Sequence, residues 1–164
     1  MIKFALALQT PTIDMVITPK DSAGNTDRFR VEFKRYNLEE SKKKLDDYAK
    51  LGEKLSDFLK ANKDLSESEI EARKDDLQAL LDDYNEQLKQ FVKAEIVSFK
   101  DIKCRDNTGK VVRTIKNTST EGEDLEQWGV AENCTPAWFE FFWSSNPYKV
   151  AIEQGMTAAI RNTE

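Results

Sequence analysis

The chain has 164 residues, 39% apolar and 34% charged, with a formal net charge of -5 and no histidine. That length allows one domain with a real core, while the thin apolar fraction predicts long solvated faces in place of a deep multilayer interior. Without histidine, Ser-His-Asp and Cys-His nucleophiles and histidine-based metal sites are excluded.

In chain order, Ile2, Phe4, Leu6 and Leu8 alternate with Lys3, Ala5 and Ala7, the period-two signal of a half-buried strand. Ile13, Met15 and Ile17 repeat it after Pro11. Pro19 to Asp27, with Gly24-Asn25 inside, reads as a turn into Phe29, Val31 and Phe33. A small antiparallel sheet is expected over residues 1–36. The start carries no export or membrane-spanning pattern, because Gln9, Thr10 and Asp14 interrupt its apolar run.

At Asn37 the period becomes helical, with Asn37 as N-cap and Glu40 three residues on. Leu38, Leu45, Tyr48, Leu55, Phe58 and Leu59 form a stripe, which Asn62 to Leu65 interrupts. Ser66 to Glu69 reads as a capping box, with Leu65 and Ile70 as hydrophobic staple. It opens a second helix striped by Ile70, Leu77, Leu80, Leu81, Tyr84, Leu88 and Phe91. A long acidic helical hairpin over residues 37–94 follows, although the same stripes would also serve to pair two copies of the chain. Gly52 is either a mild helix defect or a point of close approach.

Residues 95–116 read as a second β-hairpin turning at Asp106-Asn107-Thr108-Gly109. Asn117 to Asp124 is polar loop. Within 124–162, Thr135-Pro136 and Asn146-Pro147 each suggest an N-cap followed by proline, giving two short C-terminal helices. The expected fold is a single α+β domain.

Few constellations could carry chemistry. Asp75, Asp76, Asp82 and Asp83 are the only candidates for a divalent cation, and a solvated helix face explains them better. Glycines are too scattered for a phosphate cradle. The Lys42-Lys43-Lys44 run is flanked by Glu39, Glu40, Asp46 and Asp47, so it suits a salt-laced helix and not nucleic acid. Cys104 and Cys134 lack metal-site spacing and fit free thiols of a reducing cytosol. No cofactor is expected.

The stretch TPAWFEFFWSSNPY, Thr135 to Tyr148, stands apart because it concentrates Trp138, Phe139, Phe141, Phe142, Trp143 and Tyr148. The rings cover too wide an arc of helix for one contact. Some belong to the core, while others can sit at a groove for a partner's helix or strand. Trp138, Phe139, Phe142 and Trp143 are the candidate partner-binding residues.

The stretch VEFKRYNLEES, Val31 to Ser41, followed by an acidic amphipathic helix, resembles the start of phage tail assembly chaperones, in which a strand ending in Phe-Lys-Arg runs into a Glu-rich helix. NPYKVAIEQGMTAAIRN, Asn146 to Asn162, is similar to their closing helix. The resemblance implies a non-enzymatic protein of the host cell cytoplasm, absent from the finished virion. Its partner would be the tape measure protein, with the tail tube subunit a second candidate; no nucleic acid or membrane is involved. A structural tail component and an acidic inhibitor that mimics DNA are the alternatives.

Overall fold

A computed structural model describes residues 11–119 and 134–163. Strands β1 (Thr12–Ile17), β2 (Phe29–Lys34), β3 (Ile96–Arg105) and β4 (Val111–Asn117) form one antiparallel sheet in sequence order. Helices α1 (Leu38–Lys50), α2 (Glu53–Ala61), α3 (Glu67–Ala72) and α4 (Lys74–Glu95) separate β2 from β3, and α5 (Thr135–Trp143) and α6 (Asn146–Arg161) close the chain. The α+β class read from the sequence is therefore what the chain adopts. Its two expected sheets, however, are one, because β2 pairs with β3 through Arg30↔Lys100, Val31↔Phe99 and Glu32↔Ser98. The expected strand over Ile2–Leu8 lies outside the described residues.

Strand alternation sorts the sheet into two faces. Ile17, Phe29, Val31, Phe33, Phe99, Ile102 and Ile115 are buried beneath α5 and α6. The opposite face is polar: Thr12 and Ser98 both donate to Glu32 at 2.9 Å, and Lys100 Nζ lies 3.1 Å from the Asp14 carboxylate. In α6, Ile152, Met156, Ala159 and Ile160 face the sheet. Ser41 Oγ donates to the Ile160 carbonyl at 2.5 Å, which fastens α1 to α6.

Local signals hold at several turns. Asn37 caps α1 by accepting from Glu40 N at 2.9 Å, and Ser66 Oγ accepts from Glu69 N. Gly109 takes φ +84°, as the hairpin turn requires. Three expectations need correction. The first long helix breaks at Leu51–Gly52, where glycine's low helix propensity coincides with close packing: a Cβ there would lie 3.4 Å from the Tyr84 ring. The second breaks at Arg73, whose guanidinium instead reaches the Asn62 side chain. The C-terminal helices begin one residue early, with Cys134 and Ser145 at the caps; at α5 the Thr135 Oγ1 is engaged by Thr118 Oγ1 at 2.7 Å and so does not cap.

The helical insertion is a projecting arm. From Lys42 to Gln87 no residue is fully buried: Leu45, Tyr48, Leu51 and Tyr84 pack against the core at the arm's root, and beyond them α2 and α3 pack against α4. Ile70, meant to close a staple, is 48% exposed.

Candidate functional site

Phe142 is the hub of the aromatic segment. On a helix turning about 100° per residue, Trp138, Phe139 and Phe142 fall on the face turned to the sheet, while Phe141 and Trp143 stand to either side. Phe142 stacks on Phe29 at 4.7 Å between centroids and on Tyr148 at 5.1 Å, with Phe99 at 5.3 Å. Trp138 lies against it at 5.4 Å. Trp143 stacks on Phe139 at 5.3 Å and has the Lys149 ammonium over its ring.

This arrangement corrects most of the expected contact set. Trp138, Phe139 and Phe142 retain 5%, 1% and 3% exposure and belong to the chain's own core; Trp143 is half-buried. Phe141, not among the four, is 55% exposed. The helical wheel flags Phe141 and Trp143 alike, and only the tertiary placement of Lys149 over Trp143 separates them.

Beside Phe141 lies a groove of about 340 Å³, bounded by Trp138, Phe141 and Phe142 of α5, Tyr148 of α6, Ile102 to Arg105 of β3, and Thr26-Asp27. Trp138 and Phe142 form its floor. Tyr148 Oη donates to Asp27 Oδ2 at 2.7 Å, tying α6 to the β1–β2 turn, and burial together with this carboxylate pushes the phenol pKa up. Burial likewise raises the pKa of the Cys104 thiol. Neither cysteine forms a disulfide. No sequence signal pointed to Asp27 or Ile102 as groove residues, since only the packing of α5 and α6 on the sheet brings them beside Tyr148.

A second feature is the arm. Leu55, Phe58, Leu77, Leu80 and Leu81 are only half-buried against one another, and Leu59 is 52% exposed. Acids line its outer side, where Asp82 and Asp83 accept hydrogen bonds from Gln78 and Gln87. Among the described residues no three metal-ligating groups converge, and no helix is long and apolar enough to cross a membrane.

Comparison of the chain with family models, with curated proteins and with solved structures finds no match.

Proposed function

We propose that the chain is a phage tail assembly chaperone, a binding protein that shields the apolar stripe of a tape measure protein until tail subunits replace it. The supporting observation is the arm: from Glu53 to Leu81 the chain carries an apolar stripe yet fully buries no side chain. The short helices α2 and α3 cannot enclose the stripe of the longer α4, whereas a further amphipathic helix laid along it would complete a small bundle. The acidic outer face keeps the arm in solution between encounters. Contacts of this half-open kind favour reversible association over an obligate interface, as a chaperone that must leave requires.

The reading is tested by co-expressing the tape measure protein of the same genome with and without this chain. A gain in its soluble yield and co-purification of the pair are expected. No gain and no complex, or recovery of this chain in purified virions, would overturn the proposal.

A further inference from the structure

The end of β3 beside the aromatic groove is paired on one side only. At Asp101 the backbone enters the left-handed region, φ 61°, held there by Arg30 Nε at 2.6 Å from the carboxylate. Before that point Ile96 to Lys100 pair with β2, and Lys100 also meets Asn117 of β4; after it, among the described residues, Ile102 to Arg105 pair with β4 alone. A second cavity of about 340 Å³ opens on the polar side of the sheet, and both cavities are bounded by Thr26, Asp27, Lys103 and Arg105. The two therefore meet at a slot between the Thr26-Asp27 backbone and the β3 edge, where a continued β2 would run.

We propose that this slot takes an extended segment of a partner polypeptide by strand addition, with apolar and acidic residues alternating along it. Main-chain groups of an unpaired edge supply the generic affinity of such complexes, and alternate side chains supply selectivity. Strand alternation puts every second residue of an added strand toward the groove, over Trp138 and against Phe141, and the others toward the opposite face. The described residues lining the cavity there include Arg28, Lys103 and Arg105 against one acid, Asp27, whose carboxylate already accepts from Tyr148 and from Arg28 N. On a chain of net charge -5 this local excess of cations selects an acidic partner strand. The slot lies apart from the arm, so the inference does not depend on the chaperone reading.

The probe is a fluorescein-labelled, acetylated heptapeptide of alternating glutamate and valine with phenylalanine at its centre, titrated with the full chain and read by fluorescence anisotropy. Saturable binding is expected, weakened at least tenfold in a lysine-for-glutamate peptide, in a backbone N-methylated peptide, and by Phe141→Ala. The pair Lys103→Glu and Arg105→Glu, both exposed positions, should invert the charge preference. Amide exchange at Ile102 to Arg105 should slow on binding, which a merely apolar contact would not cause. The inference is overturned by absence of saturable binding, by equal binding of acidic and basic peptides, or by binding without protection of that edge. Loss of tape measure binding with this peptide still bound would count against the chaperone reading alone.

Discussion

Gly155 of α6 lies directly against Ile17 of β1: a Cβ added to the glycine would stand 2.2 Å from Ile17 Cδ1 and 3.4 Å from Phe33 Cε2. The contact lets the last helix settle onto the sheet, and it reverses the usual effect of removing a helical glycine. Gly155→Ala gains about 1 kcal/mol of helix propensity, but displacing a side chain that is 2% exposed within a packed core costs roughly 1–3 kcal/mol. Urea denaturation should report net destabilisation. Adding Ile17→Val, which removes the clashing methyl, should recover most of it.

A buried charge anchors the arm's root. Glu95, 1% exposed, accepts from Tyr36 Oη at 2.6 Å and pairs with Lys44 Nζ at 3.0 Å. Removing the two partners should have unequal consequences. Glu95→Gln leaves Lys44, a third exposed, free to turn toward water, whereas Lys44→Met strands a carboxylate in the interior. The lysine substitution should therefore destabilise the fold more, by about 3 kcal/mol, in the same denaturation assay.

Tyrosine ionisation supplies a pH test. Tyr36, Tyr48 and Tyr148 are held above the ordinary phenol value of 10.0 by burial first and then by donating to Glu95, Glu153 and Asp27. Burial also raises Tyr84. Because the folded values exceed the unfolded ones, the associated stability is complete below about pH 10 and declines as pH rises beyond it. Absorbance at 295 nm should show little tyrosinate near that pH in the folded chain, then a cooperative rise together with unfolding. An ordinary titration of folded protein centred at 10.0 would contradict the hydrogen-bond pattern.

Neighbouring phenylalanines should part company. Phe142→Ala opens a cavity among five rings and should cost about 3–5 kcal/mol. Phe141→Ala, at a site 55% exposed, should change stability by less than about 1 kcal/mol. A thermal melt of each variant distinguishes the two roles.

Much of this architecture is legible in the residues. Alternation in Ile13 to Ile17 and Phe29 to Phe33, the Asn37 and Ser66 caps and the Asp106–Gly109 turn are local signals, and the chain obeys them. The union of the two hairpins through β2 and β3 is non-local, since their paired residues are 63 or more positions apart and leave no trace in any short window. Helix breaks at Gly52 and Arg73 depend on Tyr84 and Asn62, partners supplied by the hairpin itself. The aromatic segment was recognisable as unusual. Which of its rings would face outward was not, because Phe141 and Trp143 are equivalent on a helical wheel until Phe139 and Lys149 cover one of them.

The arm's stripe is the centre of the functional account, and amide hydrogen exchange addresses it directly. With no fully buried residue between Lys42 and Gln87, α2, α3 and the first half of α4 should open readily in the free chain. In complex with the tape measure protein, exchange across Glu53 to Tyr84 should slow at least tenfold while the sheet is unaffected. A complex that forms and leaves the arm's exchange unchanged would contradict the account.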